Sequence, residues 1–357
     1  MKKTLIATAV AAATLSTGVL AQAGAESADA RADVLAERMD SMPTVYGNIQ
    51  YAIAHDNFDG GPSSVEHFDN GTTLGVTHDH EVAPGITGFF KVELEGIDAD
   101  DKGRSAGIDG LDEAYIGVKG DSFGQIWVGS DDSTYERAVD EIAQYYEVAL
   151  INQGPDYTTG EGDLIQYMSP SFGGLSLWAA VQVNGDGVVN DDDFKGGDEK
   201  SYPYQLAALY EMDALELALA MDSNDTSDGN NENTYGLRAS YDAGNLRLTG
   251  EFHTRKDSSD TFGIIGYYSL GANQFALSYE LTQFDDEYSG SNAAQLADND
   301  SDTITLQALH NISDHMYVYF EGYLGGGDDV WVYEDEQGNS AFSDERSIAS
   351  VGAVYYF

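Results

Sequence analysis

From Ile348 to the last residue, side chains alternate so that Ala349, Val351, Ala353, Tyr355 and Phe357 share one face while Ile348, Ser350, Val354 and Tyr356 share the other. A two-residue period sustained over about ten residues predicts a β-strand long enough, when tilted, to cross an outer membrane. The same pattern recurs upstream. Val45, Gly47, Ile49, Tyr51 and Ile53 oppose Tyr46, Asn48 and Gln50; Phe90, Val92 and Leu94 oppose Lys91, Glu93 and Glu95. Ala114, Ile116 and Val118 oppose Glu113, Tyr115 and Lys119; Leu246, Leu248 and Phe252 oppose Arg247, Glu251 and His253; Met316, Val318, Phe320 and Leu324 oppose Tyr317, Tyr319, Glu321 and Tyr323. Charge on every second position marks a polar face.

Alternation alone would also suit a soluble sandwich, so the connections decide. Those at Ala83 to Gly85, Asp121 to Phe123, Ser171 to Gly174, Asp213, Ala243 to Gly244, Gly271 to Asn273 and Ser313 to Asp314 are short, and long acidic, Gly-rich segments lie between them. Turns that are short on one side and loops that are long on the other are the pattern of an outer-membrane barrel. From Thr44 onward the chain allows roughly twenty residues per strand and connector, which fits sixteen strands of about ten residues. The expected fold is therefore all-β: a sixteen-stranded antiparallel transmembrane barrel over 44–357, wide enough for a water-filled lumen. Lys91, Glu93, Glu113, Lys119, Arg238, Arg247, Glu251 and Glu321 are expected to line that lumen.

The start of the chain reads differently. Lys2 and Lys3 precede an Ala-rich run to Leu20 and then Ala21-Gln22-Ala23, the layout of a secretory signal cleaved after residue 23. Residues 24–43 read as a short helix or a disordered periplasmic leader. No later stretch approaches a membrane helix, and the mean hydropathy is -0.34. There is no cysteine, hence no disulfide and no lipid-bearing cysteine after the leader. The formal charge of -46 makes nucleic acid an unsuitable partner. Such acidity suits a surface solvated in salty water as well as it suits ion selection.

Several segments together resemble the general porins of Gram-negative bacteria. They are Thr44-Val45-Tyr46-Gly47, the run Ala114 to Gly120 leading to Phe123-Gly124, Val128-Gly129, the run Ile165 to Gly174, and the final Val354-Tyr355-Tyr356-Phe357. The resemblance covers the whole barrel. It implies a homotrimer in the bilayer and lipopolysaccharide of the outer membrane, passive diffusion of ions and small hydrophilic solutes, and a third loop folded inward as the constriction. It also implies a basic wall opposite that loop, but the places of the family's arginines are held here by Thr73, Ser130 and Gln166. The corresponding loop keeps Asp131, Asp132, Glu136, Asp140, Glu141, Glu147 and Asp156 against Arg137 alone. A cation bias is the expectation.

Enzyme signatures are missing: the sequence holds no His-Glu-x-x-His and no Gly-rich phosphate loop, and its two G-x-S-x-G strings, Gly103 to Gly107 and Gly120 to Gly124, fall in connections between strands and not on the strand-to-helix turn of a nucleophile elbow. The motifs call for no cofactor, with one exception. Gln182 to Asp193 sets Gln182, Asn184, Asp186, Asn190 and Asp193 at positions 1, 3, 5, 9 and 12 with Gly187 at 6, the order of a calcium loop, although Gln182 stands where Asp belongs. Calcium at an outer loop and a plain acidic Asn-Gly turn both remain open. A substrate-selective channel or surface receptor is the alternative class, with Trp178, Tyr317, Tyr319 and Tyr323 as an aromatic lane, and an outer-membrane hydrolase stands third.

Overall fold

The computed structural model describes residues 42–103, 105, 107–108, 110–183, 202–225, 232–290, 292–335 and 337–357; the leader lies outside them. Its strands are β1 (Thr44–Phe58), β2 (Ser63–Asp69), β3 (Leu74–Ala83), β4 (Ile86–Glu95), β5 (Gly110–Gly120), β6 (Gly124–Ser130), β7 (Leu164–Met168), β8 (Leu175–Gln182) and β9 (Tyr204–Met212). They continue with β10 (Leu215–Asp222), β11 (Thr234–Ala243), β12 (Leu246–Arg255), β13 (Ser259–Leu270), β14 (Asn273–Phe284), β15 (Asp300–Ser313), β16 (Met316–Glu334) and β17 (Ser340–Tyr356). Among the described residues two short helices lie in loops, α1 (Thr134–Val139) and α2 (Ala293–Leu296). Each strand pairs antiparallel with its neighbours, and β17 pairs back onto β1, so the sheet closes.

Seventeen strands make sixteen staves. β2 and β3 both run antiparallel to β1, with Asp69 opposite Tyr51 and Leu74 opposite Gly47, so they are two halves of one stave. The break at Asn70 to Thr73 is turned by Asp69, whose Oδ1 accepts the N–H of Gly71 at 3.2 Å and of Thr72 at 2.8 Å. Alternation resumes in this stave only at Leu74 and Val76, because the break interrupts the period.

The two faces are inside out relative to a soluble protein. Ile116 and Leu219 are 65% and 59% exposed, whereas Gln205, Glu321 and Glu280 are 0%, 0% and 2% exposed. Only a hydrocarbon surround makes that distribution favourable. Tyr204, Tyr235 and Phe262 ring the outer rim, and Tyr210, Tyr241, Tyr268, Phe275 and Tyr355 ring the opposite one, the aromatic belts that flank a membrane. The periplasmic turns are short, as expected. The outer connections are less uniform: 59–62, 256–258 and 335–339 are short too. In the last case β16 and β17 run on for 19 and 17 residues, so chain that would have been loop rises above the rim as a hairpin.

The seam depends on the last residue. Phe357 donates its N–H to the Gly47 carbonyl at 3.0 Å and accepts the Gly47 N–H at 3.3 Å. A Cβ on Gly47 would sit 2.7 Å from the Phe357 ring and 2.6 Å from the Thr73 carbonyl, so only glycine fits. Deleting Phe357, or making Gly47→Val, should lower the yield of heat-modifiable barrel in the outer membrane; undiminished yield would show that the seam does not need this contact. An epitope inserted between Asp225 and Glu232 should be reached by antibody on intact cells and one at Asn273 should not; labelling at Asn273 would invert the topology.

Candidate functional site: the third loop and the constriction

After β6 the chain does not leave the barrel. It runs from Asp131 to Asp163 as a strap against the inner wall, and each anchor is an inward-register side chain. Ser133 caps α1, accepting the Glu136 N–H at 3.2 Å. Tyr135 donates its N–H to Gln205 at 2.9 Å and pairs its hydroxyl with His253 Nδ1 at 2.8 Å. This close approach requires Gly236 on β11, where a Cβ would lie 2.6 Å from the Tyr135 hydroxyl.

Farther on, Glu251 accepts the N–H groups of Glu141 and Ile142 at 2.7 and 3.2 Å. Glu321 accepts those of Glu147 and Val148 at 2.8 and 3.0 Å, and the Tyr323 hydroxyl accepts that of Ala149 at 2.9 Å. On the way back, Asn152 donates to Glu280 at 2.6 Å and Thr159 to Asp222 at 2.7 Å. Ile142, Tyr146, Val148 and Ile151 pack beneath the strap with Ile265, Tyr319, Tyr323 and Ile348. An apolar patch thus fills one side of a lumen whose wall is otherwise polar.

The free arc of wall carries a different set. Tyr46 hydrogen-bonds Glu93, and Lys91 lies between Glu93, at 3.2 Å, and Glu113. Carboxylate oxygens of Glu113, Asp131 and Asp132 lie within 4.8 Å of one another, as do those of Asp132, Glu136 and Glu161. Either set could hold a hard cation, and either is also ordinary for solvated acids beside water. Crowding shows in their protonation. Burial and the charges of Asp132 and Glu161 push the Glu136 carboxyl up to about 7; burial, then Glu251, does the same to Asp140. Burial also opposes ionisation of Glu141, but hydrogen bonds from Arg247 and Thr249 and the charges of Arg247 and Arg238 hold it below the usual range.

The positions singled out in the sequence separate into groups. Asp132, Glu136 and Glu113 meet at the constriction. Asp131 is turned into the wall, accepting from Trp127 Nε1 at 2.6 Å and Arg137 at 3.2 Å. Asp140 is buried behind the strap, and Glu141 and Glu147 anchor it, Glu147 taking the Tyr317 hydroxyl at 2.8 Å. Gln166 is buried and pins the loop's start, donating to the Asp132 carbonyl at 3.0 Å and accepting from Thr134 at 2.8 Å. Thr73 is tied to Asn48 at 3.0 Å in the stave break.

Ser130 does not join them. It pairs with Ala114 on the outward register, because Trp127, Gly129 and Asp131 take the inward positions; an arginine there would not face the pore. Lys119 pairs with Asp79 at 2.6 Å near the periplasmic end. Arg238 and Arg247 reach Glu141 at 2.6 and 2.8 Å and Glu216 at 2.5 and 3.5 Å. Tyr319 and Tyr323, 4% and 0% exposed, are covered by the strap and offer no aromatic lane. Asn184, Asp186, Asn190 and Asp193 lie outside the described residues. Glu161, Trp127, Gln205 and Glu280 were not singled out, although their two-residue register marks the last three as inward-facing.

The profile of the Gram-negative porin family matches residues 7–329. This chain belongs to that family. A protein named "Monosaccharide porin" from Halomonas sp is 28% identical over 396 residues, covering 100% of both chains. Among solved structures, an anion-selective porin from Comamonas acidovorans superposes with a TM-score of 0.64 at 18% identity, covering 88% of this chain and 99% of that one. The trimer form of OmpT from Vibrio cholerae gives 0.60 at 14% identity, covering 88% and 99%. The protein is an outer-membrane porin, a diffusion channel by family.

The strap's rear half should depend on Glu321, which accepts from two loop N–H groups, Gln307 at 2.9 Å and the Tyr323 hydroxyl at 2.6 Å. Hydrogen bonds to a charged group contribute about 1.5–3 kcal/mol each, so Glu321→Ala should loosen residues 147–149 while the barrel still forms. Noisier, larger single-channel currents are expected in planar bilayers; quiet currents of unaltered size would remove Glu321 from this role.

Proposed function

We propose that this porin passes small hydrophilic solutes and prefers cations, and that three copies assemble in the bilayer and lipopolysaccharide of the outer membrane. One observation carries the preference: the constriction gathers Glu113, Asp132, Glu136 and Glu161, while Arg238 and Arg247 are drawn onto Glu141 and Glu216 instead of forming a basic wall opposite them. Loop acids exposed to water are screened within about 8 Å at physiological ionic strength. Acids in a narrow zone with low-dielectric walls are not, and they set which ion concentrates there. The anion-selective relative with the same fold supports placing selectivity in these side chains, not in the barrel.

A neutral monosaccharide is a fitting solute too, given the relative named for it, since carboxylates accept hydrogen bonds from hydroxyls and do not repel an uncharged ring. The trimeric neighbour supports the assembly.

The reversal potential of the purified protein in a potassium chloride gradient tests the preference. It should indicate cation excess, and Asp132→Asn with Glu161→Gln should reduce it severalfold; chloride preference in the native channel would refute it. Because Glu136 ionises around pH 7, its negative charge is present above that pH and lost below it. Cation preference should therefore fall as the bath is taken from pH 8 to pH 6, and a preference that is flat or rising on acidification would exclude Glu136 from the ion path.

A further inference from the structure

The third loop separates charge along the pore axis. β6 climbs toward the outer rim, so Asp131 and Asp132 stand at the loop's outer base, with Glu161 beside them through the Asp131 N–H to its carbonyl at 3.0 Å. Glu136 joins this group. The next residue, Arg137, pairs with Asp131 at 3.2 Å and reaches from there toward the periplasmic side. Its guanidinium carbon lies 5.4 Å from the Trp127 ring centroid and 5.7 Å from that of Trp178. Trp127 is opposite Gln166 and Trp178 opposite Met168, two residues nearer the periplasmic end of β7. From outside inward, an ion meets carboxylates and then a guanidinium fixed between indoles. Farther in, Arg238 and Arg247 face Glu141, Glu216 and Asp242, and Lys119 faces Asp79. The inner half is therefore close to balance.

We propose that this axial arrangement, Asp132, Glu136 and Glu161 above and Arg137 below, makes the channel an ionic rectifier that conducts better when the outer side is positive. The proposal rests on the cation preference argued above. In the acidic outer section cations carry nearly all the current, while in the balanced inner section anions share it. When cations are driven inward, they reach the junction faster than the inner section removes them. Anions rising from the periplasm are halted there by the carboxylates. Salt accumulates at the junction and conductance rises; reversed voltage depletes it. Arg137 sharpens the junction by drawing anions up to it.

The test is the current-voltage curve of the purified protein in symmetric potassium chloride. Orientation is read from the side on which an antibody blocks a channel tagged between Asp225 and Glu232. At low salt the current with the outer side positive should exceed the opposite current by about 1.5-fold or more, given local ion enrichments of tenfold and above. It should approach symmetry at 1 M, where the Debye length is about 3 Å. Arg137→Gln should bring the ratio toward one while moving the reversal potential toward stronger cation preference, two opposite shifts that a loss of packing alone would not give. Arg137→Lys should retain the ratio. Should Arg137→Gln not fold, Asp132→Asn, altering an exposed side chain, must lower the ratio as well. Symmetric currents at low salt in a cation-preferring native channel, or a ratio untouched by these variants, would overturn the rectifier and leave the cation preference standing; a chloride-preferring channel would remove both.

Discussion

Hydrocarbon offers no hydrogen bonds, and that single deficit dictates this molecule. Every backbone N–H and C=O in the membrane must be paired, so the sheet has to close, and β17 meets β1 over eleven residue pairs from Asn48 and Tyr356 to Phe58 and Arg346. Closure in turn leaves two faces with opposite solvents. Side chains are then sorted by the pleat alone: outward positions become apolar, inward ones are free to be Glu, Arg, Gln or Thr. The acidic interior is available because the wall needs no apolar core to hold together.

What the wall does not need, the strap does. Residues 131–163 have no regular sheet partner, so their N–H groups are satisfied by side chains reaching in from β9 to β16, above all by carboxylates. Glu251 and Glu321 each accept two of them. A carboxylate with several donors is a strong anchor, and beneath it Tyr146, Val148 and Ile151 exclude water. Acidic residues in this lumen therefore have two occupations. Glu251, Glu280 and Glu321 hold backbone and are covered, while Asp132, Glu136 and Glu161 gather at the strap's base, where the proposed ion preference would act.

Sequence reading reached the barrel, its stave number and the identity of the inward faces, because a two-residue period with charge on alternate positions admits one interpretation once the connections are sorted by length. It placed Glu251 and Glu321 on inner faces and the acids of the third loop together. It could not tell which of those acids face water, since Asp140 and Asp132 look alike in sequence and differ only in what the strap covers. Ser130 was misplaced because the resemblance supplied a position without a register, and a single residue of parity decides which side of the wall it faces. The split second stave was invisible for a related reason: a single extra residue in the break shifts the period and erases the signal.

The strap's anchors lie far ahead of it in the chain. Glu147 is 174 residues from Glu321, and Asn152 is 128 from Glu280. Contacts so distant in sequence form slowly, because the intervening chain must be ordered first. The constriction is consequently the last part of the molecule that can be completed: until β16 is in place, residues 147–149 have nothing to hold them, and a barrel still under assembly is a wide, ungraded tube. The narrowing is made only once β16 stands, so it is finished together with the last staves that seal the wall against lipid.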